Sequence, residues 1–478
     1  MQKTPAITAR NKFSARDLYA LVFGLFLGLA IVKFGNPVIL DHKIIPPISL
    51  AEAWTEPWPL HWANWILLPL ALLGPSVAFI NQSRWPTTRW LWLLPLVWLG
   101  WQFFSATQTV DAVLTATTLW QFTGCVACYF LGAFVFGNGR ALNWLLVGVL
   151  AAFTFCLVRA IDQRIVEFPQ SRQMLVEGER AGWTNFPPEI FLRMKQDNVI
   201  ITTNGVDVAN PAILAKFTKG RVNGTLVYPN ALAGLVLMLF PVSLALAFNG
   251  TRRLRPPIRL AVIALTCFLG VMGFFWTGSK LGWLIALALG GVYLLRLKWP
   301  TKLKLTVIGL VAVIGLGIFA IRFQSYFAKG ATSIGARFDY WRAAAQTTLA
   351  YPLLGTGPGT FQRPYAKLKS PESEMARLTH NDYLEQFSDS GIIGGIAYAI
   401  WIFLALVTIG RRIWHSENLP AFMLFLGLLG WFVQGIGEFS LYIPALAWTA
   451  FTLLGCMLAL SGNQSDNPSP ANYPPVRK

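Results

Sequence analysis

Val227 to Phe248 reads VYPNALAGLVLMLFPVSLALAF, an apolar stretch without one charged residue. About 20 residues of this kind, wound as a helix, match the hydrocarbon thickness of a bilayer, so the segment predicts a membrane span. Runs of the same character recur on both sides of it. They predict twelve spans, at 17–35, 62–81, 89–105, 113–136, 141–159, 227–248, 259–276, 281–296, 305–322, 391–409, 419–437 and 443–461. The expected fold class is an all-α polytopic membrane protein, one membrane domain over residues 1–478, where a soluble chain of this length would divide into roughly three domains. Twenty Trp agree, because indole rings collect where bilayer meets water.

Composition excludes a soluble globular protein. The chain is 55% hydrophobic and 13% charged, with a mean hydropathy of +0.51, whereas charged residues make up about a quarter of soluble domains. A net charge of +18 does not point to nucleic acid, because Lys and Arg sit in small groups between apolar runs rather than on one face with aromatics between them. Their distribution orients the chain instead. An even span count places both termini on one side, with Lys3, Arg10, Lys12, Arg16, Arg84, Arg89, Arg140, the groups at 252–259 and 296–304, Arg411, Arg412, Arg477 and Lys478. Nineteen of the 39 basic residues lie there against Asp17, Glu417 and Asp466, so that side holds +16 of the +18 and reads as cytoplasmic. The first apolar run follows basic residues and lacks a small-residue cleavage site, which reads as an uncleaved signal anchor. Cys125 and Cys128 form a C-x-x-C, but Gly124, Val126, Ala127 and Tyr129 around it read as membrane helix rather than a redox or metal motif.

Two long connections, 160–226 and 324–390, break the rhythm of short turns, and both fall on the outer face. Loops this long without clear structure are usually functional. The second carries Pro352, Gly355, Gly357, Pro358, Gly359 and Pro364, which is turn chemistry, beside a polar helical stretch near Phe338 to Leu349. The tail at 462–478, rich in Pro, Asn and Ser, is expected to be disordered and cytoplasmic. A transporter carries ionisable residues inside its spans. Here Lys33, Asp111, Arg159, Lys280, Arg322 and Glu438 sit near span ends on the outer side, where a long side chain reaches the interface. The titratable residues gather in the outer loops, which points to a reaction or binding event at that surface.

Two groups in those loops could carry chemistry. His380 stands in Thr379-His380-Asn381-Asp382-Tyr383-Leu384-Glu385, just before the span at Gly391. A lone His is more often structural than catalytic, yet unperturbed imidazole titrates near pH 6.5 and suits removal of a proton from a hydroxyl. His42, His61 and His415 read as interfacial residues. The second group is cationic: Arg221, Lys280, Arg337 and Arg342, all at or near an outer boundary. Headgroup contact explains many such residues; a clamp on a phosphorylated lipid is the other reading, since guanidinium forks match phosphate oxygens.

Tyr340-Trp341, the block from Tyr351 through Gly355-Thr356-Gly357-Pro358-Gly359 to Phe361, His380 to Leu384, and Gly391-Ile392-Ile393-Gly394-Gly395 resemble the O-antigen ligase and polymerase superfamily. Arg221 to Ala233 and Thr277-Gly278-Ser279-Lys280 fit it too, so the resemblance runs from about Arg221 to Gly395. It implies a metal-independent, inverting membrane glycosyltransferase of the bacterial inner membrane, working at the periplasmic face without a cofactor. The implied donor is a glycan on undecaprenyl diphosphate; the implied acceptor is a lipid A core, a growing glycan or a protein hydroxyl. The resemblance maps the catalytic histidine onto His380 and donor diphosphate-binding arginines onto Arg221 and onto Arg337 or Arg342, with Arg337 favoured because it lies first in its block. Lys280 stands where many members carry Arg, which keeps the charge and loses the fork. Asp382 has two readings, acceptor orientation or solvation of its loop. The sequence holds no Asp-x-Asp pair and no His/Cys ligand spacing. A lipid-linked glycan flippase would need a charged cavity through the bilayer, and a scaffold that only binds lipid-linked glycan would need no base.

Overall fold

The computed structural model describes residues 13–80, 90–328 and 332–465. Lys3, Arg10, Lys12, Arg84, Arg89, Asp466, Arg477, Lys478 and the tail from residue 466 onward lie outside the described residues.

A helix coincides with every apolar run. In chain order the helices of the described residues, those of the connections included, are α1 Ala15–Lys33, α2 Leu50–Thr55, α3 Leu60–Ile80, α4 Trp90–Ser105, α5 Ala112–Phe134, α6 Gly139–Asp162, α7 Phe168–Arg180, α8 Pro188–Gln196 and α9 Pro211–Lys219. They continue with α10 Pro229–Gly250, α11 Pro256–Thr277, α12 Lys280–Arg296, α13 Thr301–Ala328, α14 Thr332–Ala350, α15 Gln362–Leu368, α16 Asp382–Ile413, α17 Leu419–Gln434 and α18 Pro444–Ser465. Their starts are written in the sequence. Ser14, Asp111, Asn138, Ser279, Asn381 and Asn418 each accept a hydrogen bond from a backbone N–H two or three residues on, satisfying a donor that the first turn leaves open. Among the described residues, eight helices are long and apolar enough to cross a membrane, and the sheet is two-stranded, so this is an all-α membrane protein.

Lipid tails are as apolar as Leu, so helices in a bilayer are held by close packing rather than by expulsion of water. The α1–α6 contact is a glycine pair: a Cβ on Gly24 would collide with the Leu145 carbonyl, and one on Gly148 with the backbone at Gly24. Gly132 of α5 and Gly455 of α18 are matched in the same way. Trp98, Trp401, Trp431 and Trp448 are buried in the core these contacts create, away from any interface, whereas Trp54, Trp65 and Trp90 are exposed. Indole placement therefore follows packing as much as the bilayer boundary.

Charge separates the two ends of the bundle. Arg140 Nε lies 3.1 Å from Asp17 Oδ2, Arg296 Nε donates to the Trp414 carbonyl at 3.0 Å, and Lys298 is 3.8 Å from Glu417. Gly137 against Ala459, and Gly462 against Arg412, tie these groups into one end. The opposite end carries the two long connections.

The connection expected at 160–226 has structure of its own. α6 runs through a π-helical turn, Gln163–Glu167, into α7. α8 follows, and then a hairpin of β1 Ile200–Thr203 and β2 Val206–Ala209, paired antiparallel with Ile200 opposite Ala209. Asn204 and Gly205, with φ of 52° and 76°, form its two-residue turn. Leu175, Trp183, Ile200 and Ala209 make a small core, so this segment is a folded cap. In the second connection α14 and α15 pack together, and α16 begins at Asp382 rather than at Gly391. Residues 390–391 interrupt that helix, with Gly391 at φ 70° and ψ −173°.

Candidate active site

His380 sits on the turn leading into α16, at φ +53°, a left-handed conformation that costs a non-glycine residue about 1–3 kcal/mol. Its neighbours enforce it. Thr379 N–H and Oγ1 both donate to Glu385 Oε2, at 2.7 and 2.8 Å, and Asn381 Oδ1 caps α16 through the N–H groups of Tyr383 and Leu384, each at 3.0 Å. The imidazole is packed as firmly as its backbone. It stacks on Tyr340 at 5.9 Å and meets the edge of Phe439 at 4.7 Å.

The ring faces a carboxylate. His380 Nδ1 lies 3.6 Å from Glu438 Oε2, just beyond hydrogen-bond length, and has no other partner among the described residues. Glu438 is fully buried in the link between α17 and α18, and four groups converge on it. Arg337 Nη2 donates to Oε1 at 2.5 Å and Asn230 Nδ2 at 2.7 Å; the Tyr228 hydroxyl donates to Oε2 at 2.9 Å, on the side His380 approaches. Burial pushes the Glu438 carboxyl upward in pKa, but His380, Arg337 and Tyr228 outweigh it and the net direction is down. Glu438 is thus a buried anion whose field is shared by a guanidinium and an imidazole.

Arg221 joins the network one step further out. Its Nη2 donates to Asn230 Oδ1 at 2.8 Å and its Nε to the Thr277 carbonyl at 2.6 Å. Burial draws its pKa down, Glu438 opposes that, and Arg337 adds to it. Lys280, at the head of α12 above the Ser279 cap, holds its ammonium 3.8 Å from the Tyr326 ring centroid and 5.4 Å from that of Phe323. A compact ammonium between two aromatic faces accounts physically for lysine here, since attraction to a ring face needs no fork.

Arg221, Lys280, Arg337 and His380 line one cavity of about 560 Å³ at the cap end of the bundle. Leu281, Leu284, Phe319 and Phe327 form its apolar wall. Glu374, which accepts from the Tyr340 hydroxyl at 2.8 Å, stands at the His380 side, and among the described residues the Trp341 indole N–H has no hydrogen-bond partner. Among the described residues, no three His, Cys, Asp or Glu side chains are grouped to hold a metal ion.

Two expected positions fall outside the cavity. Arg342 is exposed, 3.8 Å from Asp339, five residues on from Arg337 and so on another face of α14. Asp382 is buried; its carboxylate accepts from Leu441 N–H at 3.2 Å, while its own N–H donates to the carbonyls of Gly435 and Glu438 at 2.7 and 3.1 Å. It braces the link that carries Glu438 rather than facing an acceptor. Cys125 and Cys128 are free and buried in α5. Sequence reasoning placed Glu438 at an interface, and the structure places it in the middle of the site.

A helical membrane protein with a cationic cavity, an imidazole and a buried carboxylate at one end is the class these features define. Residues 265–399, somewhat over a quarter of the chain, match the family model described as O-antigen ligase, which supports the resemblance to the O-antigen ligase and polymerase superfamily. The matched residues take in Lys280, Arg337 and His380. The chain is also similar to an uncharacterized protein of Haemophilus influenzae, 29% identical over 160 residues, which is 28% of this chain and 39% of that protein. The chain therefore spans well under half the length of that relative.

Proposed function

We propose that the protein moves an oligo- or polysaccharide from an undecaprenyl-diphosphate carrier to an acceptor hydroxyl, by an inverting, metal-independent displacement. The acceptor is a lipid A core or the end of a growing glycan. We further propose twelve membrane spans in the bacterial inner membrane, both termini in the cytoplasm and the His380 cavity at the periplasmic face. The single observation that carries the reaction is the placement of Glu438 between Arg337 and His380.

The chemistry follows from that placement. With Nδ1 toward the Glu438 carboxylate, the imidazole keeps its proton on Nδ1 and leaves Nε2 free to take the proton of an acceptor hydroxyl. Catalytic hydrogen bonds are often long without substrate, so the 3.6 Å between His380 and Glu438 is compatible with this role. As the acceptor oxygen bonds to the anomeric carbon, the bond to the diphosphate oxygen breaks and its electron pair leaves with the diphosphate. Fixed cations stabilise the charge that develops there. Arg221, Lys280 and Arg337 fill that role, and the wall of Leu281, Leu284, Phe319 and Phe327 offers an apolar surface to the lipid. Attack on the face opposite the leaving group gives inversion.

The test is His380→Ala in purified, membrane-inserted protein. Transfer should fall by about 100 to 10,000-fold, the range general base catalysis supplies, while lipid-linked donor still binds, because the arginines rather than the imidazole hold the diphosphate. Transfer at near the unmodified rate would remove His380 as the base; loss of donor binding would make it a binding residue.

A further inference from the structure

The foot of the cap holds a second cleft that the reaction does not use. It has a volume of about 640 Å³, and Arg164, Arg172, Phe168, Phe217, Thr218 and Trp276 line it. We propose that this cleft is an anion site for the phosphate of a bilayer lipid, independent of the glycosyl transfer proposed for the His380 cavity.

The backbone is shaped around one guanidinium. Arg164 lies in the π turn between α6 and α7, a local widening of a helix that is often found at functional sites. Gln163, in the same turn, is pinned to the loop after Arg221: its Nε2 donates to the Gly224 carbonyl at 3.0 Å and its Oε1 accepts from Gly224 N–H at 2.9 Å. Arg164 is thereby laid over Gly220, the left-handed residue at φ +57° that ends α9. Any Cβ at Gly220 would collide with Arg164 Nη1. The glycine supplies both the turn and the room for the cation.

That cation has no internal counter-charge. Among the described residues, neither Arg164 nor Arg172 has a carboxylate partner. Asp162 and Glu167, the acidic residues on either side of Arg164 in sequence, are both held by Arg159, Glu167 at 2.5 Å, and Asp207 of the cap is held by Lys195 at 2.7 Å. Two unpaired guanidinium groups at one cleft favour an anion with several oxygens, and a phosphate fits their forks. The rest of the lining says what the phosphate is attached to. Phe168, Phe217 and Trp276 make an aromatic wall, and Trp276 stands at the cap end of α11, a helix long and apolar enough to cross a membrane. An indole at that level marks the headgroup region, and basic clefts there take anionic headgroups. A free phosphate ion would gain nothing from the aromatic wall.

Full-length protein in neutral-lipid nanodiscs, with and without phosphatidylglycerol, tests this by thermal unfolding and by native mass spectrometry of retained lipid. Phosphatidylglycerol should stabilise the unmodified protein and stay bound through detergent extraction. Arg164→Gln with Arg172→Gln should weaken retention about tenfold or more, a change of about 1.4 kcal/mol or more, while Arg180→Gln elsewhere on the cap changes nothing. If the double variant fails to fold, Arg172→Gln alone, at an exposed position, should still weaken retention several-fold. Equal retention by the unmodified and substituted proteins overturns the site. Stabilisation by inorganic phosphate as strong as by phosphatidylglycerol overturns the lipid assignment.

Discussion

Glu438 concentrates the physics of the site in one carboxylate. A buried anion is stable only with partners, and removing one member of a buried pair typically costs about 3–5 kcal/mol. Because its pKa is depressed on folding, the stabilisation it gives is fully present above the ordinary glutamate value of about 4.3 and is lost as pH falls through the lower folded value. Glu438→Gln should therefore melt at a lower temperature than the unmodified protein at neutral pH, and the gap should close as pH falls below about 4. A gap that does not change with pH would mean that its charge is not coupled to folding. The same substitution should lower transfer about 100-fold or more, since an amide no longer holds the imidazole tautomer. His380, Arg221, Arg337 and Lys280 were legible in the sequence because loop position and residue type announce them. Glu438 was not, because its meaning lies in partners such as Tyr228, 210 positions away. One signal was there: a carboxylate side chain is too short to snorkel as Lys and Arg do, so an acidic residue ending an apolar run needs another explanation.

At the scale of elements, the break in α16 seats the glycine-rich turn of the second connection. Gly391 occupies a region of φ and ψ that is essentially confined to glycine, and a Cβ there would strike the Leu353 carbonyl. Ile392 N–H donates to the Pro352 carbonyl at 2.8 Å, and Gly359 N–H to Asp389 Oδ2 at 2.6 Å, so the glycine-rich turn at 355–359 is seated against the break. Gly391→Ala should lower the melting temperature by the strain of about 1–3 kcal/mol and the clash together, and reduce transfer although no substrate contact is changed. Unaltered melting and activity would show that the break plays no part in seating the turn. The sequence pointed to Gly391 as the start of a span because apolar periodicity begins there; the first turns of α16 carry Asp382, Glu385 and Asp389, whose burial a hydropathy reading cannot foresee. The cap was hidden for a related reason. Ile200 to Thr203, Asn204-Gly205 and Val206 to Ala209 carry the composition of a hairpin, but in a connection bounded by membrane spans the apolar runs dominate the reading.

For the whole molecule, the separation of charge between the two ends is an orientation, and it can be measured. Positive residues hold back from translocation, so the end gathering Arg140, Arg296, Lys298, Arg411 and Arg412 should face the cytoplasm, and the end with the cap and the His380 cavity should face outward. Cys267 is the partly exposed native thiol, whereas Cys125, Cys128, Cys156 and Cys456 are buried, so Cys267→Ser gives a background with little intrinsic labelling. In that background, Ser171→Cys on the cap and Ser370→Cys beside the cavity should react with an impermeant maleimide on intact spheroplasts. Glu417→Cys, in the exposed link between α16 and α17, should react only after the membrane is opened. Labelling of the Glu417 position from outside would invert the chain, put the cationic cavity on the cytoplasmic face, and leave a donor assembled and flipped outward unable to reach it.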